Sequence, residues 1–212
     1  MKPALIFDLD GTLWDASAQI TEAWRLVGQK YFGPDYRLTV EQVKGLMGKT
    51  MSEIAFSLTP KGASIDKAKA FVDECFEFER EYLEGHPGVL FDGELEALEE
   101  LSHDYDLYIV SNCQAGYIET FLPLVRPGLF LDHKCWSDTQ KEKQFTIRLL
   151  MNLHGIECAA YIGDTAKDEA ATIAAGIPFV FAAYGFGSAE NPDAVAQSFS
   201  DLPRAVRALC LR

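Results

Sequence analysis

What this sequence of 212 residues lacks removes several classes of function. No apolar run approaches the roughly eighteen residues that a membrane-spanning helix needs, so no membrane partner is expected. No basic-plus-apolar leader precedes the first strand-like run at residue 4, and a cytoplasmic location is the expectation. The five cysteines, Cys75, Cys113, Cys135, Cys158 and Cys210, include no Cys-x-x-Cys pair. Neither a disulfide framework nor a zinc site is indicated, and buried thiols are expected. Internal repeats and low-complexity tracts are absent, and nothing implies a protein partner. Positive charge is scarce: 19 Lys and Arg stand against 32 Asp and Glu, a formal net charge of −13. That balance repels nucleic acid and anionic lipid, which are bound mainly through neutralisation of phosphates. A phosphorylated small molecule is repelled at long range too, so any phosphate site here must carry its own local positive charge.

What is present is the composition of a folded chain, 48% hydrophobic and 24% charged, long enough for one core carrying an insertion. Short β-type runs, ALIFDL (4–9), DLYIVS (106–111), AAYIG (159–163) and PFVFA (178–182), alternate with helix-length amphipathic segments. That alternation predicts an α/β fold with a parallel sheet covered by helices. Nearly a hundred residues separate the first two strands, far more than one crossover requires. Within them, ASAQITEAWRLVGQKYF, TVEQVKGLM, TMSEIAFSL and SIDKAKAFVDECFEFEREYLE read as helices. They predict an inserted helical subdomain over 16–85, with a core of 1–15 and 86–212 and hinges near Leu13 to Ala16 and Gly85 to Gly88.

The first run ends in Asp8 and Asp10, two residues apart, followed by Gly11 and Thr12. Alternate strand side chains point the same way, so both carboxylates can face one point beyond the strand's carboxyl end, where open α/β sheets bind ligands. Two carboxylates there repel unless a cation or proton lies between them. A divalent ion that prefers oxygen, most simply Mg²⁺, answers that, while Gly11 lets the backbone approach a ligand and Thr12 offers a hydroxyl. The alternative is an Asp-Gly turn whose carboxylates cap loop amides.

The other strand ends bear on the choice. DLYIV runs into Ser111 and Asn112, and AAYIG runs into Asp164, with Asp168 four residues later. Each could serve only as a helix cap or a favourable charge at a helix N-terminus. Together they gather at one edge of one sheet, which favours a metal and phosphate site. A phosphoryl group also calls for a fixed cation. The segment QKEKQFTIRLLMNLHGI supplies two lysines ahead of a helix whose apolar positions are Phe145, Leu149, Leu150 and Leu153. Lys143 is the better placed and Lys141 the reserve; the alternative is a solvated charge run.

With DLDGT at 8–12, SN at 111–112, a lysine at 143 or 141 and GDTAKD at 163–168, the sequence resembles the haloacid dehalogenase superfamily of phosphohydrolases. Within it, the similarity is to the branch holding phosphoglycolate phosphatase-like enzymes and β-phosphoglucomutase, although the Lys-Pro pair frequent there is absent. The resemblance covers essentially the whole chain. It implies a Rossmann-like core with an α-helical cap, and a Mg²⁺-dependent phosphohydrolase acting on a small phosphorylated metabolite through an aspartyl phosphate.

In that scheme Asp8 is the nucleophile and Asp10 the general acid and base. Mg²⁺ is held by the Asp8 and Asp164 carboxylates and the Asp10 backbone carbonyl, with Asp168 behind them or orienting Lys143. Thr12, Ser111, Asn112 and Lys143 hold the transferring oxygens. The cap loop of the branch corresponds to GLMGKT (45–50), where Lys49 is positioned for an anionic leaving group. Trp14 and the YGFG turn (184–187) border the expected pocket. A phosphomutase built on the same Asp8 and Asp10 is the alternative activity. A non-enzymatic phospho-acceptor domain is disfavoured by the long helical insertion, and a dehalogenase by Asp10 and Asp164, which it would not need.

Overall fold

A computed structural model of the chain describes residues 2–47, 49 and 51–211. The chain divides into two compact units, Met1–Asp15 with Leu90–Arg212, and Ala16–Val89. The return crossing lies four residues beyond the expected 85/86 boundary. In the second unit the helices are α1 (Ser17–Phe32), α2 (Val40–Lys44), α3 (Met51–Leu58) and α4 (Ile65–Gly85). Thr39 caps α2 in a reciprocal box with Gln42, and Ser64 caps α4 through the Lys67 N–H, which explains why both helices start where they do. Phe71, Val72, Cys75, Phe76 and Leu83 form the buried stripe of α4.

The strands are β1 (Ala4–Phe7), β2 (Trp14–Asp15), β3 (Val89–Leu90), β4 (Asp106–Ser111), β5 (Phe130–Cys135), β6 (Ala159–Gly163), β7 (Phe179–Ala182) and β8 (Ala194–Ala196). Six of them form one parallel sheet in the order β5-β4-β1-β6-β7-β8, while β2 pairs with β3 where the chain leaves and re-enters the first unit. The remaining helices are α5 (Glu94–Asp104), α6 (Ile118–Phe121), α7 (Trp136–Thr139), α8 (Lys143–His154), α9 (Ala166–Ala175) and α10 (Leu202–Ala208). The expected α/β class with a Rossmann-like parallel sheet is what the chain forms.

Every residue of β1 and β6 is buried, as befits central strands covered on both faces. Ala4, Ile6, Tyr108, Val110, Ala159 and Tyr161 share a cluster with Ile147 and Leu150 of α8 and Ala171 of α9. Leu5 and Phe7 alternate with them and are also fully buried, Phe7 meeting the edge of Phe130 at a centroid distance of 5.9 Å.

Two expectations are corrected. The buried face of α8 is Lys143, Thr146, Ile147 and Leu150, whereas Phe145 and Leu153 are exposed and Leu149 is half-buried. The helix is turned by what its first residue binds, because Lys143 is drawn inward to buried carboxylates. Of the cysteines only Cys75 and Cys135 are buried; Cys113 and Cys158 are half-buried, and Cys210, just beyond α10, is exposed. No helix among the described residues is long and apolar enough to cross a membrane.

Candidate active site

The register of the sheet sets the site. Phe7 of β1 lies opposite Ile109 of β4 on one side and Ile162 of β6 on the other. Asp8 therefore follows the last paired residue of the central strand, with Ser111 and Asp164 each two residues beyond its partners. Chain order reverses at β1, since β4 and β5 extend the sheet one way and β6 to β8 the other. Such a switch point leaves a crevice at the strands' carboxyl ends.

Three carboxylates meet there. One oxygen each of Asp8, Asp164 and Asp168, all buried, lies within 4.8 Å of the others. Lys143 Nζ stands 2.5 Å from Asp168 Oδ1 and 3.0 Å from Asp8 Oδ1, and it lies 5.5 Å from the centre of the Tyr161 ring. Asp168 Oδ2 accepts the Thr165 N–H (3.0 Å) and hydroxyl (2.5 Å), closing the capping box that starts α9. Asp168 is thus fully committed to Lys143 and Thr165. Asp8 Oδ1 has the ion pair but accepts no hydrogen bond from the described residues, and Asp164 Oδ1 is buried with no hydrogen bond either. Asp164 Oδ2 accepts the Phe186 N–H at 2.7 Å.

Burial is the largest influence on these groups. It pushes Asp8 up to about 6 against the pull of Lys143, and with Asp168 and Asp8 as neighbours it pushes Asp164 up to about 8. Burial opposes the charge of Lys143, but Asp168 and Asp8 outweigh it and hold the ammonium well above its ordinary range. Carboxylate oxygens that are buried, close together and open suit a hard divalent cation such as Mg²⁺. The backbone is shaped to the same end. Gly11 has φ +77° and a side chain there would occupy the space of the Asp164 carboxylate; at Gly185 it would overlap Asp164 and the Gly11 carbonyl.

Asp10 is outside this group. Its Oδ1 accepts both the Trp14 indole N–H at 2.9 Å and the Tyr117 hydroxyl at 2.8 Å. The residue is half-buried, yet its carboxyl lies deep enough for burial to push it up to about 7, with the Tyr117 hydrogen bond opposing. Thr12 is buried with its hydroxyl unbonded to any described residue, and the Tyr184 hydroxyl donates to its carbonyl at 3.0 Å. Ser111 is buried at the end of β4 and Asn112 half-buried beside it. Lys141 is exposed, its ammonium 5.5 Å from the Phe145 ring, and takes no part in the cluster. Lys49 belongs to the second unit, half-buried, its N–H donating to the Leu46 carbonyl at 3.0 Å; Gly48 and Thr50 beside it lie outside the described residues.

Sequence reasoning missed Tyr117 and Thr165. The cap at Thr165 had a readable signal, a threonine three residues before an acid. Tyr117 had none, because its partner is 107 residues away.

Residues 5–182 match the family described as haloacid dehalogenase-like hydrolase. A phosphoglycolate phosphatase of Photobacterium profundum is 30% identical over 227 residues, covering 97% of this chain and 96% of the relative. The pyrophosphatase PpaX of Listeria monocytogenes is 28% identical over 217 residues, covering 96% and 95%. The solved structure of a haloacid dehalogenase-like family hydrolase from Streptococcus pneumoniae superposes with a TM-score of 0.81 at 25% identity, covering 96% of this chain and 97% of that one.

Proposed function

The chain belongs to the haloacid dehalogenase-like hydrolases and is a phosphatase, and we propose that it cleaves phosphate monoesters of a small cytoplasmic metabolite, with Mg²⁺, through an aspartyl phosphate on Asp8. One observation carries the reading. A buried lysine bridges Asp8 and Asp168 while Asp164 keeps an open buried oxygen beside them, so a fixed cation and a cation-binding carboxylate pair share one crevice. With a divalent ion bound to the carboxylates, that ion and Lys143 together would supply the local positive charge an acidic chain needs for a phosphate dianion.

The Asp8 and Asp164 carboxylates and the Asp10 backbone carbonyl would hold Mg²⁺. Bound there, the ion supplies charge that offsets the carboxylates and the transferring phosphoryl oxygens. In the first step an Asp8 oxygen forms a bond to phosphorus as the bond to the leaving oxygen breaks, and Asp10 gives that oxygen its proton. In the second, a water oxygen bonds to phosphorus, the bond to Asp8 breaks, and Asp10 takes a proton from the water, which regenerates both residues and releases inorganic phosphate. Two moderate barriers replace one high one, and the proton transfers contribute about 10² to 10⁴ in rate. Thr12, Ser111, Asn112 and Lys143 hold the transferring oxygens, and Asp168 fixes the direction of Lys143. Lys49 keeps the specificity role that the family resemblance implies, toward an anionic leaving group.

The curated relatives named phosphoglycolate phosphatase support a short substrate with a second negative charge. The test is phosphate release from 2-phosphoglycolate and from an aryl phosphate, with Mg²⁺ and after chelation. Turnover that requires Mg²⁺ and vanishes in Asp8→Asn supports the reading; undiminished turnover after exhaustive chelation contradicts it.

A further inference from the structure

The side chain of Asp10 is held by one oxygen only. Trp14 Nε1 and the Tyr117 hydroxyl both donate to Oδ1, at 2.9 and 2.8 Å, and Oδ2 accepts no hydrogen bond from any described residue. An indole N–H can only donate, so Oδ1 is fixed as an acceptor whatever the state of the carboxyl. The two donors are themselves immobile. Trp14 is fully buried and Tyr117 nearly so, their rings meet edge to face at 5.9 Å, and Trp14 also meets Phe121 edge to face at 5.6 Å. Nothing in the metal or phosphate chemistry of the site calls for either residue.

We propose that Trp14 and Tyr117 are positioning residues that lock the Asp10 carboxyl so that Oδ2 alone is the proton-exchanging oxygen of the reaction. The inference rests on the acid and base role given to Asp10 above. A carboxyl torsion is broad and two-fold, so a free Asp10 would present either oxygen over a range of angles. Two donors converging on Oδ1 from rigid aromatic rings remove that freedom. When Asp10 is neutral the hydrogen lies on Oδ2, because Oδ1 already receives two, and it is this hydrogen that passes to the leaving oxygen as the bond from phosphorus to that oxygen breaks. In the second step Oδ2 takes the hydrogen back from the attacking water. The orientation is therefore built before substrate arrives, which is the form of preorganisation that lowers a proton-transfer barrier.

The experiment compares kcat/KM, which reports the first phosphoryl transfer, for phenyl phosphate and 2,4-dinitrophenyl phosphate in Tyr117→Phe, Trp14→Phe and Asp10→Asn. A dinitrophenolate leaves with little need of a proton, whereas phenolate needs one. Loss of a positioning donor is expected to lower the phenyl to dinitrophenyl ratio by about tenfold, with less effect in Trp14→Phe/Tyr117→Phe built on Asp10→Asn, where no proton remains to be aimed. A loss equal on both esters in either single variant, or the same ratio change with and without Asp10, overturns the positioning role. If Asp10→Asn itself leaves the ratio where it was, the acid and base reading fails first and the inference with it. Tyr117→Phe removes only a hydroxyl, so it tests the proposal even where Trp14→Phe does not fold.

Discussion

Lys143 Nζ lies 2.5 Å from Asp168 Oδ1, both groups buried and 25 residues apart in sequence. The pair joins the start of α8 to the first turn of α9 and presents the same ammonium to Asp8. Removing one partner of a buried pair costs more than the pair contributes, since a charge is left without compensation. Lys143→Ala is expected to lower stability by about 3 to 5 kcal/mol and to abolish turnover. Lys141→Ala, at an exposed position, is expected to stay within about 0.5 kcal/mol of the parent and to keep its activity. Urea midpoints and kcat/KM for both variants check this; matched losses in the two would remove the distinction between the lysines.

Metal affinity is expected to depend on pH in a defined window. Burial holds Asp8 up at about 6 and Asp164 at about 8, so each must shed a proton before it can ligate. Mg²⁺ binding should therefore tighten from pH 6 to pH 8.5 and release protons, measurable by calorimetry in buffers of different ionisation enthalpy. An affinity flat across that range, or one unaffected in Asp164→Asn, would contradict the ligand assignment.

Glu94 gives a test of stability away from the chemistry. It opens α5, buried, with Oε2 accepting the Phe91 N–H at 3.0 Å and Oε1 accepting no hydrogen bond from the described residues. Burial raises its carboxyl from 4.5 to about 8. Between those values the native chain keeps a proton that the unfolded chain has lost, so unfolding free energy falls as pH rises through the window and is fully retained only below it. Glu94→Gln is expected to gain on the parent by a few kcal/mol, in order of magnitude, between pH 5 and 8.5. Urea titrations of both proteins along that range read the difference. A constant offset would mean that Glu94 is ionised in the native state.

Much of this was legible in residues read one strand at a time. Apolar runs ending in Asp8, Ser111 and Asp164 mark central parallel strands, because burial on both faces leaves no polar alternation and the first polar residues fall at the carboxyl ends. The edge strands were not legible: β5 reads FLDHKC with charges at a half-exposed edge, and β8 is three residues long. Nor was the inward face of α8, whose apolar pattern includes exposed Phe145 and Leu153 while its first buried residue is a lysine. Local periodicity reports greasy faces, and here ion pairs set the rotation. The bond from Tyr117 to Asp10 spans 107 residues, a pairing that only the assembled sheet creates.

The role given to Lys49 has its own test. In Lys49→Ala the ratio of kcat/KM for 2-phosphoglycolate to that for an aryl phosphate is expected to fall by about tenfold or more, the size of one charge-assisted hydrogen bond. An equal fall on both substrates, or none, would remove Lys49 from substrate selection.

The claim on which everything else depends is that the Asp8 carboxylate itself takes the phosphoryl group. Rapid acid quench during turnover, followed by borohydride reduction and peptide mass spectrometry, converts an aspartyl phosphate to homoserine and reports its position. Homoserine at position 8, and none in samples quenched without substrate, is the expected result. Turnover with no homoserine at position 8, or with homoserine at Asp10, Asp164 or Asp168 instead, would contradict the account.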